Sequence, residues 1–394
     1  MFTGRNVWVV SGVRTAIGSF GGSLKDFSPT ALATEVIKEV VKRASVDPSI
    51  VEQVIMGNVI TTEPIDVYLS RYAAISAGLS HDSVAITLNR LCGSGLHAIA
   101  TAAMHICIGD VSVSIAGGAE SMSRGGFIVP SLRWGQRMGD ASVNDMVLAA
   151  LHDPFKIIHM GVTAENLVRR YNLTREELDE YSMESVRRAS AAQRNSYFET
   201  QIVPLAIKDG RQHKIFKEDE RIRHDQTKEQ LSSLKALFEK GGTVTAGNSS
   251  GINDGAAAVL LMSDSAVRDN KVDPMLRIVS IGNAGVDPDY MGIGPIQAVK
   301  QALFRAKLSL KDIDVIESNE AFAAQCICVA RDLGFDSLKT NPNGGAIALG
   351  HPIAATGAIL MVKIAYELKR SGGRYGLVTM CIGGGQGIAM VVEA

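Results

Sequence analysis

One unit occurs twice in this 394-residue sequence, and it limits the architectures open to the chain. After Cys92 come a small-residue helical stretch, the strand-like "VSVSIA" and two glycines. After His351 come a helical stretch, "YGLVTMCI" and three glycines. A turn, helix, strand and glycine run repeated so far apart predict two similar halves, each presenting a loop to a shared site. The distance is far longer than that of a solenoid repeat.

The flanking patterns agree. "NVWVVSGV", "VEQVIMGNVI" and "SVAITLNR" read as strands, and "ALATEVIKEVVKRA" has helical spacing with a basic end. Leu96, Ala100, Ala103 and Cys107 form one helical stripe. This is α/β layering with a largely parallel sheet. From residue 120 the texture changes to charged helical stretches such as "TREELDEYSMESVRRASAAQRN" and irregular pieces, whose charges read as solvated faces. Near residue 252 the α/β texture resumes with "INDGAAAVLLMSD". The expected division is residues 1–119 with 250–273, an inserted loop region 120–249, and 274–394.

Composition narrows the function. A formal net charge of −1 gives no broad basic face, so nucleic acid is excluded as a partner. Five cysteines (Cys92, Cys107, Cys326, Cys328, Cys381) suit a reducing compartment rather than a disulfide scaffold. Cys326 and Cys328, two apart, lack zinc-site spacing and read as core. No signal-peptide pattern opens the chain, and no uncharged apolar run is read as long enough to span a bilayer. A soluble, cytoplasmic protein is expected, with no membrane contact, although removal of a transit peptide would leave the same sequence.

Several stretches carry reactive groups. "GSGLHA" after a strand satisfies the dinucleotide-binding pattern, but the ribose-binding acid is missing from its place. Cys92 itself is either a buried filler or a nucleophile. At a helix start its thiol pKa would be lowered, and Gly93 and Gly95 would leave room for a substrate. His351 stands in the Gly-rich turn "NPNGGAIALGHP", before a helix begun by Pro352. Asn319 and Glu320 fall at the end of the strand "IDVIES", where either a ligand site or a helix N-cap by Ser318 or Asn319 is open. Cys381 precedes three glycines whose backbone N–H groups can approach a reacting oxygen. His159 with Met160, and Ser249 with Ser250, each read alone as loop or core.

Together these stretches resemble the thiolase family over essentially the whole chain. The resemblance rests on "NRLCGSGLHA", "AGGAESMS", "HMGVTAEN", "GNSSGINDGA", "NEAFAAQ", "GGAIALGHP" and "CIGGGQG", seven motifs in family order. It implies a five-layered α/β/α/β/α fold with two similar halves and an inserted loop domain. It further implies reversible Claisen chemistry on coenzyme A thioesters, with no metal and no other cofactor. By the same resemblance Cys92 would carry the acyl group, and His351 would activate it. Asn319 would hold a water for one oxyanion site, and the N–H groups of Cys92 and Gly383 would form the second. Cys381 would move the α-proton.

Ser250, Arg223 and His159 would contact coenzyme A, while Met160, Met291 and Phe322 (of "NEAF") would line the substrate side. The methionines of "HMG" and "YMGIGP" resemble short-chain acetyl-CoA acetyltransferases and bacterial β-ketothiolases. That subgroup implies acetyl-CoA C-acetyltransferase activity, short-chain acyl-CoA partners and a homotetramer built from dimers. A broader-range 3-ketoacyl-CoA thiolase of fatty-acid degradation and a non-catalytic acyl-CoA or lipid-binding relative are the alternatives. The second of these predicts loss of Cys92, His351 or Cys381, and all three are present. A fatty-acid condensing synthase would pair its cysteine with two histidines, or with His and Asn, instead of with Cys381. Two departures stand out: Ala354 replaces the usual glycine, and Lys235 of "SLKALF" interrupts the coenzyme A segment.

Overall fold

The computed structural model describes residues 5–210 and 212–394. The first four residues of the expected amino-terminal division, and of the stretch searched for a signal peptide, lie outside it. The amino-terminal half comprises β1 (Val7–Thr15), α1 (Pro29–Ala44), β2 (Gln53–Gly57), α2 (Leu69–Ser76), β3 (Val84–Leu88), α3 (Ser94–Ile108) and β4 (Val113–Ser121). The chain then leaves the sheet for a long excursion that includes α4 (Met160–Tyr171) and α5 (Arg175–Arg194). It returns as β5 (Asn253–Ser263), and β6 (Leu276–Gly285), α6 (Gly294–Ala306), β7 (Val315–Ser318) and α7 (Ala323–Leu333) follow. The last elements are α8 (Thr356–Ser371), β8 (Tyr375–Ile382) and β9 (Gln386–Glu393).

The nine strands run in the order β7-β8-β9-β6-β1-β5-β4-β2-β3. The repeat seen in the sequence is explicit in the pairing. Outward from β1 the neighbours are antiparallel, antiparallel, then parallel; outward from β6 the same sequence of directions recurs. The two halves join where Trp8 and Val9 pair with Arg277 and Leu276. The sheet is therefore mixed rather than largely parallel. The β8–β9 connection is only three glycines long, and such a turn reverses the chain, whereas parallel neighbours need a crossover.

Layering follows from which helix faces are apolar. α1 packs on one face of β1, β4 and β5, and α3 packs on the other side of the amino-terminal strands, together with α8. α8 buries twelve of its sixteen residues, including Gly357, Met361 and Ile364, so it is covered all round. It contacts strands of both halves and forms, with α3, the middle helical layer; α6 covers the outer face of β6 and β9. The uncharged run Leu91–Ile108 does reach membrane-spanning length, with a mean hydropathy of 1.5, contrary to the sequence reading. Its apolarity has another cause: it is the Cys92 turn and α3, packed inside the protein against β2, β4 and α8.

Candidate active site

Both repeated turns open the two central helices, and glycines bring those helix starts together. A Cβ on Gly95 would lie 2.7 Å from the Ala354 carbonyl oxygen, and one on Gly357 would lie 2.4 Å from the Leu96 nitrogen. Gly93 is closed by Ile382, whose side chain would stand 2.4 Å from its Cβ. These glycines therefore provide close packing, against backbone at Gly95 and against the Ile382 side chain at Gly93, not the open space for a substrate expected from the sequence. Cys92 precedes the helix cap Gly93, and Leu91 before it takes the left-handed conformation at φ 47°, a strained setting for a branched side chain. Ser94 holds the turn, its hydroxyl donating to the Leu91 carbonyl (2.6 Å) and accepting from the Arg90 N–H (2.9 Å).

His351 sits one residue past Gly350, which has φ 115°, and α8 begins only at Thr356, with Pro352 opening a turn rather than the helix. The Asn253 side chain accepts the His351 N–H (2.9 Å). The Thr356 hydroxyl donates to the Pro352 carbonyl (3.1 Å), so in its 2.6 Å contact with Nδ1 it accepts, and the ring proton is on Nδ1. Nε2 carries the lone pair, which accepts a long hydrogen bond from Nδ2 of Asn319 (3.5 Å). Burial holds the His351 pKa down to about 4, so the ring is neutral.

Asn319 follows β7 directly and caps no helix; α7 starts four residues later, with Phe322 at its cap. Its Oδ1 is buried with no hydrogen-bond partner among the described residues. Cys381 is the penultimate residue of β8, and burial, then the neighbouring Cys92, push its thiol far above the usual range. The backbone N–H groups of Gly383 and of Cys92 itself favour the Cys92 thiolate, yet burial raises the thiol to about 11. The expected lowering at a helix start is thus overturned. Withdrawal from water outweighs the two N–H groups, and nearby Glu120 adds to the rise.

Met160, Met291, Phe322 and Cys381 share one apolar cluster with Ala321 and Ile347. A Cβ on Gly383 would lie 2.7 Å from the end of Met160, so that methionine covers the glycine turn. His159 caps α4, its Nδ1 accepting the Gly161 N–H (3.0 Å), and burial followed by His152 lowers it to about 4. Its ring stacks on Phe238 (4.6 Å, 20°), which meets Phe322 edge-on at 6.2 Å. Ser250 is placed beside the Asn319 loop, donating its N–H to the Ala321 carbonyl (3.0 Å). Arg223 is exposed and its charge acts on Arg221; among the described residues its side chain has no ion pair or hydrogen bond.

Sequence reasoning gave no role to four residues that shape this site. Glu120 accepts the N–H groups of Val59 (3.3 Å), Ile60 (3.0 Å) and Ala354 (3.1 Å) and the Asn58 amide (3.2 Å), and burial raises its carboxyl to about 8. The signal was present as an acid inside a run of strand residues. Glycines precede it because a Cβ on Gly118 would lie 2.1 Å from the Ala354 oxygen. Asn253, Thr356 and Phe238 are the others, and only their distant partners reveal them. Glu320 ties the Asn319 loop to the His351 side through Ser185 (2.6 Å), Asn341 (2.9 Å) and the Ile347 N–H (3.2 Å).

A thiol, a neutral imidazole, a second thiol and N–H donors near two helix starts of a doubled α/β fold form the kind of set an acyltransferase uses. The model of the thiolase N-terminal domain matches residues 7–265, and that of the thiolase C-terminal domain matches residues 272–394. The chain belongs to the thiolase family. It is 55% identical to Beta-ketothiolase BktB of Cupriavidus necator over 99% of both chains. It is 46% identical to an acetyl-CoA acetyltransferase of the same organism, over 98% of this chain and 99% of the other. The crystal structure of human mitochondrial 3-ketoacyl-CoA thiolase superposes with a TM-score of 0.97 at 42% identity over 99% of both chains. The same human enzyme in complex with CoA gives 0.96 at 42% identity, over 99% of this chain and 98% of the other.

Proposed function

We propose that this protein is an acetyl-CoA C-acetyltransferase, a β-ketothiolase that joins two acetyl-CoA to acetoacetyl-CoA and CoA and runs the reverse thiolysis on short-chain 3-ketoacyl-CoA. The observation that carries the reading is Cys92 close to both Cys381 and the Gly383 backbone N–H, at a helix start packed against the turn that presents a neutral His351. In thiolysis the Cys92 sulfur attacks the 3-keto carbon as His351 accepts its proton. The C2–C3 bond then breaks, the acyl group stays on sulfur as a thioester, and the electron pair leaves on the acetyl-CoA enolate. Cys381 protonates that carbon; its thiolate then takes the proton of the CoA thiol as that sulfur attacks the thioester, and the departing Cys92 sulfur regains its proton from His351. Condensation is the same path reversed.

Negative oxygen develops twice, and two donor sets answer it: the N–H groups of Cys92 and Gly383, and His351 with a water held by Asn319, whose orphaned Oδ1 suits such a water. These steps balance in protons and electron pairs without a metal or redox group. Binding of CoA by a relative this similar, and the exposed Arg223 two residues from Arg221, which binds the carbonyl of Ser249, support coenzyme A along the same loops. Met160, Met291 and Phe322 packed around Cys381 favour a short acyl group over the broader-range alternative. We place four chains in the working particle, by family membership and by the exposed apolar surfaces discussed below.

The test compares thiolysis of acetoacetyl-, 3-ketovaleryl- and 3-ketohexanoyl-CoA by the wild type and Cys92→Ala. The variant should lose at least about 10³ in kcat, the scale on which loss of a covalent step and its donors is felt. Undiminished turnover would sink the mechanism, and a preference rising toward six carbons would sink the short-chain assignment.

A further inference from the structure

Arg221 lies in "KEDERIR", and neither the acyl transfer nor the coenzyme A contacts above use it. Its guanidinium has no carboxylate partner among the described residues. Instead Nε donates to the Ile347 carbonyl (3.2 Å), and Nη2 donates to the carbonyls of Ser249 (3.2 Å) and Ala246 (3.4 Å). Burial, followed by the neighbouring Arg223, lowers its pKa to about 10. Gly251 gives it space, since a Cβ there would stand 2.7 Å from Nη1. A cation withdrawn from water and held only by carbonyls costs stability, so its worth lies in what those carbonyls belong to.

They belong to two separate segments. Ala246 and Ser249 lie in the loop that carries Ser250. That loop is paired to the Asn319 loop by the Ser249–Phe322 bridge, by the Ser250 N–H on the Ala321 carbonyl (3.0 Å) and by the Ala323 N–H on the Asn248 carbonyl (2.9 Å). Ile347 lies in the short helix Ala346–Leu349, which ends two residues before His351. One planar fork of donors therefore spans the loop assigned to coenzyme A and the turn that presents the imidazole. Its rigid geometry suits simultaneous bonds to several carbonyls better than a lysine would.

We propose that Arg221 is a positioning residue that sets the loop 246–251, and with it the coenzyme A chain, in register with the His351 turn. The proposal rests on the coenzyme A reading given above. It differs from the role of Arg223, which is exposed and acts by direct contact. Loss of Arg221 should weaken every thioester that uses the loop, including one without the nucleotide end.

The experiment measures the Kd of CoA by calorimetry, and KM and kcat for acetoacetyl-CoA and acetoacetyl-pantetheine, on the wild type and on Arg221→Met, Arg221→Lys and Arg223→Met. For Arg221→Met we expect Kd and both KM values to rise about tenfold, as for loss of charge-assisted hydrogen bonds, with kcat within about threefold of the wild type. Arg221→Lys should recover part of the loss, and Arg223→Met should raise KM for acetoacetyl-CoA alone. Unchanged Kd in Arg221→Met overturns the proposal. So does a loss confined to acetoacetyl-CoA, which would make Arg221 a direct phosphate contact. If Arg221→Met does not fold, Arg221→Gln, which keeps donors for one carbonyl, must show an intermediate Kd, and a wild-type Kd there overturns the proposal. A wild type that binds CoA without turnover, with Kd still shifted in the variant, would defeat the catalytic reading and leave this one standing. A wild type that does not bind CoA defeats both.

Discussion

At Cys92 two physical effects oppose each other, and their balance fixes how the enzyme must begin its reaction. Two N–H groups favour the thiolate, and burial favours the thiol; burial is the larger and brings the pKa to about 11. The resting sulfur is protonated, so under the proposed mechanism the lone pair of His351 Nε2 has to accept a proton as attack proceeds. His351 is ready to do so because Thr356 fixes the proton on the opposite ring nitrogen. The consequence is measurable as the rate of Cys92 alkylation by iodoacetamide in the unliganded protein. A raised folded-state pKa means less thiolate at any pH below it. At pH 8 alkylation should therefore run about a hundredfold slower than for a thiol of pKa 9.0, and the rate should keep climbing through pH 10. A plateau at or below pH 9 would show that the N–H groups prevail.

At the level of elements, the site exists because β4, α3 and the start of α8 approach more closely than side chains allow. Gly118 lets the Ala354 carbonyl touch β4, and Glu120, two residues along that strand, binds the Ala354 N–H. Replacement by Gly118→Ala puts a methyl 2.1 Å from that oxygen. Backbone must move, at about 1–3 kcal/mol, and His351 moves with it. The urea midpoint and kcat should both fall. Gly285→Ala, with nothing within 4 Å of its Cβ, should leave both unchanged.

This contact also marks where sequence ceases to inform. The repeat, the strands and the four reactive groups were legible because periodicity and glycine runs are local signals. That the glycines beside Cys92 pack against Ala354 and Ile382 depends on segments some 260 and 290 residues away, and no pattern around Cys92 encodes it. The reversed strand directions were illegible for the same reason. A strand looks alike in sequence whichever way its neighbour runs.

For the whole molecule, two acids in an irregular segment of the excursion, outside the helical stretches read as solvated faces, lock it to the core. Asp219 takes a fully buried bidentate pair from Arg14 of β1 (2.7 and 2.9 Å), and Glu220 accepts the Ser19 N–H (2.8 Å) and the Ser23 hydroxyl (2.7 Å). The excursion is thus a fixed platform, and its outer apolar side chains are left unexplained by the single chain: Trp134 is 88% and Met138 91% exposed, and Phe127, Leu132 and Ile157 accompany them. A second apolar surface lies elsewhere, on β3, which ends the sheet and exposes Val84 and Ile86 along an unpaired edge. Exposed apolar patches and open edges are liabilities unless covered. One self-complementary surface closes a dimer; two different ones generate a tetramer with dihedral symmetry.

We therefore expect light scattering to give four times the 41.9 kDa chain mass for the wild type. The pair Trp134→Asp and Met138→Asp should reduce it to two chains, because the edge-strand contact survives. Ile86→Asp alone should also give two chains, held by the excursion contact instead. A wild-type monomer, or a doubly substituted variant that keeps the full mass, would show that these surfaces are not joined in pairs.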